Sequence, residues 1–260
     1  MTILDELAGY ARKRVDAAKE KISLAEIKER ALGLPDGDFA FEKTLKKPGL
    51  SFICECKKAS PSKGLIAPEF PYLQIAREYE AAGADCISVL TEPSRFLGSD
   101  AYLKEIAEGV SIPCLRKDFT VDEYMLYEAK LLGAKAVLLI CSILSEQQLK
   151  AYLAICDRLG ISAVVEAHDE AEVKTAVSAG SRIIGVNNRN LKSFAVDTKN
   201  SERLRALVPK NIIFVSESGV KTAGDVARIR EMGADAVLIG ETLMRAQNKV
   251  EMLAALRGAQ

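Results

Sequence analysis

Charge imbalance, histidine, paired cysteines and long apolar runs are what this sequence has least of. Its 36 basic residues are matched by 36 acidic ones. With no basic block or aromatic-basic interleaving, a polyanionic partner such as nucleic acid is not expected. There is one histidine, His168, and the six cysteines (Cys54, Cys56, Cys86, Cys114, Cys141 and Cys156) never fall in a C-x-x-C spacing. That pattern suits reduced packing residues, mostly on strands, and indicates neither a metal site nor a disulfide framework. No apolar run approaches the roughly 20 residues that span a bilayer, and the N-terminus lacks the apolar core of a secretory signal. The expectation is a soluble, cytoplasmic protein with no membrane partner.

What is present is a repeated phrase. Ala82-Gly83-Ala84-Asp85 precedes CISVL, Leu132-Gly133-Ala134-Lys135 precedes AVLLI, Ala179-Gly180-Ser181-Arg182 precedes IIGV, and Met232-Gly233-Ala234-Asp235 precedes AVLIG. In each, a helical pattern ends at a glycine suited to the left-handed cap, and a proline-free apolar run follows. The runs SFICE, IPCLR, SAVVE and NIIFV fill the gaps. The result is about eight strands separated by amphipathic stretches such as 69–82, 121–132, 145–159 and 222–232. Length alone does not separate one barrel from two smaller domains, but eight βα units favour a single (β/α)8 TIM barrel over residues 1–260. Residues 1–47 form an N-terminal helical extension in this scheme. Leu4, Leu7, Ala8, Ala11 and Val15 recur at helical spacing, and Ser23 with Glu26 predicts a capping box for a second helix. Such an extension either simply packs on the barrel or covers one mouth and excludes water.

In a barrel of this kind the reacting groups come from the C-terminal strand ends. Here those ends carry Glu55 and Lys57; Thr91 and Glu92; Arg116, Lys117 and Asp118; Glu166; Asn187, Asn188 and Arg189; and Glu217 with Ser218. Strand alternation turns Glu55 and Lys57 to one face and Cys54 and Cys56 to the other. Two opposite charges on a buried face imply something there to bind or protonate. Any one of these charges alone would read as a structural ion pair; their placement at one rim singles out Glu55, Lys57, Lys117 and Glu166. Ser216-Glu217-Ser218-Gly219 after strand seven and Ile239-Gly240-Glu241-Thr242 after strand eight put glycines where backbone N–H groups can approach a phosphate. His168 sits at a loop-to-helix junction with no serine elbow, and no catalytic role is expected for it. Asn187-Asn188-Arg189-Asn190 suits a turn, but its position after strand six favours substrate recognition by Asn187 and Arg189.

The segments ECKKASPSKG, TEPSRFLGS, LRKDF, VLLICSIL, VVEAHD, IGVNNRNL, SESG and LIGETLMR, in order from about residue 50 to 245, closely resemble the indole-3-glycerol-phosphate synthases of tryptophan biosynthesis. The tryptophan that some members carry in the N-terminal region is absent. The resemblance implies that Lys117 is the main general acid and Glu166 the general base, with Glu55, Lys57, Asn187 and Glu217 completing the catalytic and positioning set. It implies that Ser60 and Arg189 hold the anthranilate carboxylate, and that Ser218, Gly219, Gly240 and Glu241 contact the phosphate. The implied substrate is 1-(2-carboxyphenylamino)-1-deoxyribulose 5-phosphate, which closes to indole-3-glycerol phosphate with loss of carbon dioxide and water. In this scheme the iminium formed on ring closure is the electron sink, so neither pyridoxal phosphate nor a metal is needed.

A free lysine, with a pKa of about 10.4, is a weak donor at neutrality, so burial and Lys57 are expected to lower Lys117 towards roughly 7 to 8. Two other functions compete: an isomerase converting a phosphorylated aminoaldose to an aminoketose, and a noncatalytic barrel that binds phosphorylated ligands. No feature of the sequence assigns an oligomeric state.

Overall fold

The computed structural model describes residues 2–190 and 194–258. Eight parallel strands form a closed barrel: β1 (Ser51–Cys56), β2 (Cys86–Leu90), β3 (Cys114–Lys117), β4 (Ala136–Ile140), β5 (Ser162–Ala167), β6 (Ile183–Asn187), β7 (Ile213–Glu217) and β8 (Ala236–Ile239). Each strand pairs with the next in sequence, and β8 returns to β1 with Ala236 opposite Ser51. The expected (β/α)8 barrel is therefore the observed one.

The repeated phrase works as its chemistry predicts. Gly83, Gly133, Gly180 and Gly233 all have positive φ, at 85, 85, 88 and 79°. One residue later, the N–H groups of Ala84, Ala134, Ser181 and Ala234 donate to the carbonyls of Tyr79, Ala129, Ala176 and Ile229. This long return bond satisfies carbonyls that the end of a helix would leave unpaired. Helices Tyr72–Ala81, Tyr124–Leu131, Glu146–Leu159 and Ala223–Glu231 lie inside the expected stretches. The first starts late because Pro71 disfavours helical backbone at the preceding Phe70 and takes the capping position itself.

Three helices precede β1: α1 (Ile3–Lys21), α2 (Leu24–Leu32) and α3 (Ala40–Leu45). Leu7, Ala8, Ala11 and Val15 of α1 are buried as their spacing predicts. The capping box expected at α2 is only half made. Ser23 Oγ accepts the Glu26 N–H at 3.2 Å, but the Glu26 carboxylate pairs forward with Arg30. A reciprocal box forms instead at α1, between Thr2 and Asp5. Arg14 of α1 makes two bonds to Asp118, at 2.6 and 3.1 Å, just past β3. Glu6 meets Arg95 at 2.6 Å and Lys19 meets Asp122 at 2.7 Å, so α1 is pinned to loops at the C-terminal mouth. At the other end of the barrel, the Glu42 N–H of α3 donates to Ser162 Oγ at the start of β5. The extension thus runs from one end of the barrel to the other.

All six cysteines are buried and free. Among the described residues no helix is long and apolar enough to cross a membrane.

Candidate active site

At the C-terminal mouth, side chains from strands far apart in sequence line one cavity of about 890 Å³. Glu55 comes from β1, Lys117 from β3, Glu166 from β5, Asn187 from β6 and Glu217 from β7, with Lys57 just beyond β1. Ser60, Arg189, Ser218, Gly219, Gly240 and Glu241 line the same cavity, so every residue singled out from sequence reaches one space. Ile3, Leu4 and Leu7 of α1 close over it. This matches the covering arrangement for the extension, because an apolar wall there keeps water from the charges below.

Those charges form two linked groups. Lys117 Nζ donates to Glu166 Oε2 and to Glu217 Oε2, both at 2.8 Å. Lys57 Nζ donates to Glu55 Oε1 at 2.5 Å. Glu55, Glu166 and Glu217 are all at most 4% exposed, so three carboxylates share two ammoniums in a nearly dry space. One oxygen, Glu217 Oε1, has no hydrogen-bond partner at all. Room for the carboxylates is made by backbone: a β-carbon at Gly185 would overlap Glu217 Oε1, and one at Gly240 would overlap Glu55 Oε1 and Lys57 Nζ. Gly240, read from sequence as a phosphate-loop residue, therefore also gives space to a charged pair.

The crowding sets the protonation states. Burial opposes the Lys117 ammonium, yet Glu166, Glu217 and Glu55 outweigh it and hold its pKa above the ordinary lysine value. This corrects the expectation of a lowered Lys117. The nearby amine, Lys57, is occupied by Glu55, and the groups bonded to Lys117 are carboxyls rather than cations. Burial would raise Glu166, but Lys117 and His168 outweigh it, and the group sits well below the usual carboxylate range. Glu217 moves the other way. Burial, reinforced by Glu166 and Glu55, overcomes the pull of Lys117 and lifts it to about 7. The group that titrates near neutrality is therefore a carboxyl, Glu217, while the lysine stays protonated.

The recognition residues surround this centre. Asn187 Oδ1 accepts from Ser218 Oγ and from the Arg189 N–H, both at 3.0 Å, joining the ends of β6 and β7. Ser218 and Gly219 have successive positive φ values of 68 and 98°, which turn this loop sharply over the cavity. Thr242 Oγ1 donates to the Val220 carbonyl at 2.5 Å, tying the loops after β7 and β8 together. The Glu241 carboxylate faces Arg245 at 3.2 Å and Lys63 at 3.6 Å. A contact from Glu241 to an anion would use its backbone N–H, because its side chain carries the wrong charge.

Not every charge at the rim belongs to the cavity. Glu92 accepts the N–H groups of Ser94, Arg95 and Phe96 and braces a turn. Arg116, 2% exposed, points to Asp100 and Glu128. Asp118 does line the cavity, but both its oxygens are already bound, by Arg14 and Thr91. Asn188 is a brace: its Oδ1 accepts from Ser201, and its Nδ2 donates to Ser216 Oγ and the Ser218 carbonyl.

Sequence reasoning missed the apolar side of the cavity and, although it weighed His168 and gave it no catalytic role, did not see the contact that residue makes. Leu90, Phe96, Phe119, Leu138 and Ile140 give the cavity an apolar side, which inward alternation of the strands signals only in part. His168 lies 3.3 Å from Glu166 Oε1. It sits two residues after that carboxylate, and this spacing was the available signal.

Comparison with known proteins agrees with the geometry. Residues 4–256 match the family model described as indole-3-glycerol phosphate synthase. A protein of that name from Ruminiclostridium cellulolyticum is 59% identical over 258 residues, 99% of each chain. Another, from Lacticaseibacillus casei, is 52% identical over 98% of each chain. Among solved structures, a 3-hexulose-6-phosphate synthase superposes with a TM-score of 0.64 at 14% identity, covering 80% of this chain and 98% of that one. A thiamine phosphate pyrophosphorylase from Pyrococcus furiosus gives 0.61 at 14% identity, covering 84% and 96%. These structures share the barrel. The match along nearly the whole sequence is more specific, and the chain belongs to the indole-3-glycerol phosphate synthase family.

Proposed function

We propose that this chain closes 1-(2-carboxyphenylamino)-1-deoxyribulose 5-phosphate to indole-3-glycerol phosphate, releasing carbon dioxide and water, in tryptophan biosynthesis. The observation that carries this reading is Lys117 held between Glu166 and Glu217 at the floor of a cavity with one apolar side. The apolar side suits an aromatic ring, and the charged floor suits proton transfers at the sugar carbons.

In the first step the ring carbon bearing the carboxylate attacks the ketone carbon, and Lys117 delivers a proton to the ketone oxygen. Its high pKa does not prevent this, because the acceptor becomes an alkoxide, a stronger base than an amine. Until then the fixed ammonium stabilises the developing negative charge where water is scarce. The C–C bond leaves an iminium, into which the electrons of the breaking C–CO2 bond flow. The new hydroxyl then leaves as water, and a proton leaves the adjacent carbon. Glu166, held ionised, receives that proton. Glu217, near neutrality, passes protons between the amine and the departing oxygen. Glu55 keeps Lys57 in place beside them.

Ser60 and Arg189 are suited to the anthranilate carboxylate. The backbone of Ser218, Gly219, Gly240 and Glu241 is suited to the phosphate, with the loops already joined through Thr242. The reading is tested by supplying the carboxyphenylamino-deoxyribulose phosphate and following indole fluorescence together with carbon dioxide. Stoichiometric appearance of both is expected. Isomerisation of a phosphorylated aminoaldose without gas release would favour an isomerase, and binding of phosphate without turnover a noncatalytic barrel.

A further inference from the structure

We infer that His168 is a positioning residue for Glu166: a cation clamped between Glu166 and Glu172 that fixes the reacting carboxylate from the side away from the substrate. The inference rests on Glu166 being the proton acceptor of the reaction proposed above.

Both ring nitrogens of His168 face carboxylates. Nε2 lies 3.3 Å from Glu166 Oε1, and Nδ1 lies 3.0 Å from Glu172 Oε2. The Nδ1 contact is a hydrogen bond, whereas the Nε2 contact to Glu166 is a close charge pair outside hydrogen-bond geometry, and two carboxylates this near favour the ring as a cation. The surroundings hold the ring in place. Glu172 Oε2 also accepts the His168 backbone N–H at 2.8 Å, and the His168 carbonyl accepts from Asn200 Nδ2 at 3.1 Å. Other nearby charges are engaged elsewhere. Asp169 Oδ1 accepts the Glu172 N–H, Glu170 pairs with Arg203, and Lys117 and Glu217 lie across Glu166. The Cys141 thiol, donating to the Glu172 carbonyl, is kept neutral because burial raises its pKa to about 12.

The side chain of His168 is 17% exposed and is not part of the cavity wall, so it does not reach substrate. Glu166 thus has a cation beside each oxygen, Lys117 hydrogen-bonded at Oε2 and His168 in charge contact at Oε1. Burial disfavours the imidazolium, but Glu166 and Glu172 outweigh it and raise the His168 pKa to about 10. Removing that cation lets the Glu166 pKa rise towards the ordinary range.

The chain contains a single histidine, so protein labelled with ¹³C,¹⁵N-histidine gives one imidazole signal that needs no assignment. Both ring nitrogens are expected to stay protonated through neutral pH, with a midpoint of about 10. Glu166→Gln and Glu172→Gln should each lower that midpoint by about one unit or more, as expected when an adjacent opposite charge is lost. A wild-type midpoint near the unperturbed value of about 6.5 overturns the inference whether or not any variant folds. In kinetics, His168→Asn should lower kcat by about 10- to 100-fold, the scale of losing a group that orients a reacting one. KM should stay within about twofold, and the acid limb of the kcat profile should move to higher pH. An unchanged kcat and profile, or a loss equal at every pH, overturns the inference when Glu166→Gln is itself nearly inactive. If Glu166→Gln turns over at the parent rate, the assignment of Glu166 as proton acceptor fails instead, and the imidazole titration still reports whether the clamp exists.

Discussion

The two ends of the barrel use the same residue types in opposite ways. At the N-terminal end Asp85, Asp235 and Glu42 are taken up by backbone N–H groups or by cations, even though Arg182 serves Asp157 as well as Glu42. Asp85 Oδ2 accepts the Phe52 N–H at 2.8 Å, and Asp235 Oδ2 accepts the Phe214 N–H at 2.7 Å. Glu42 is bound by Arg182 and Lys46, both at 2.7 Å. At the C-terminal mouth one lysine is shared by two carboxylates, and Glu217 Oε1 has no hydrogen-bond partner. Charges at the first end close the fold. Those at the second are left mutually strained and facing a cavity, and local conflict of that kind marks a site kept for chemistry.

The sharpest way to break this contrast is Lys117→Met. Turnover should fall by about 10²- to 10⁴-fold or more, as for loss of a general acid. Because Glu166 and Glu217 lose their shared cation, stability should also drop by up to about 3–5 kcal/mol, less whatever protonating Glu217 recovers. Steady-state kinetics and urea unfolding measure the two losses, and parent-like turnover would remove Lys117 from its role.

Glu166→Gln keeps the size of the side chain and much of its hydrogen bonding but removes the charge. It should slow the reaction by about 10²- to 10⁴-fold. In rapid-quench experiments carbon dioxide release should outrun formation of the aromatic indole. Simultaneous appearance of the two products at the parent rate would contradict Glu166 as base.

Gly219→Val sharpens the contrast within the mouth, since it touches recognition and leaves the charged floor alone. A β-branched residue at φ 98° would be strained and would press on Val196 and Thr198. Affinity for the phosphorylated product should weaken by about 1–3 kcal/mol, read by calorimetry. Unchanged affinity rejects a phosphate contact there.

The smallest effect belongs to the other end. Asp235→Ala removes one side-chain bond to the Phe214 N–H, which should cost about 1 kcal/mol of stability with kcat unchanged. A large loss of kcat here would show that the two ends are coupled.

Much of this molecule is written in short stretches of sequence. Left-handed glycines at the ends of helices, proline-free apolar runs after them, and charges where those runs stop are rules of one to six residues, so the barrel and the charged part of the cavity lining could be read without coordinates, while its apolar side could not. The exceptions are local competitions. Glu26 was free to pair with Arg30 rather than complete a capping box, and Pro71 shortened its helix.

The sequence by itself determined which strands form, which way they alternate, and that Glu55, Lys117, Glu166 and Glu217 meet at one rim. Only the tertiary structure decided what those groups are to one another. Lys117 meets Glu166 from 49 residues away and Glu217 from 100, and the balance among burial, two ammoniums and three carboxylates reverses the shift expected for the lysine. The same holds for the neighbours that turned out to be structural. Whether Arg116 faces helices or cavity, whether α1 roofs the site, and whether His168 backs Glu166 depend on ångström distances between separate elements. Electrostatic energies in a buried site vary with those distances and with the water excluded, and neither quantity is encoded in residue spacing.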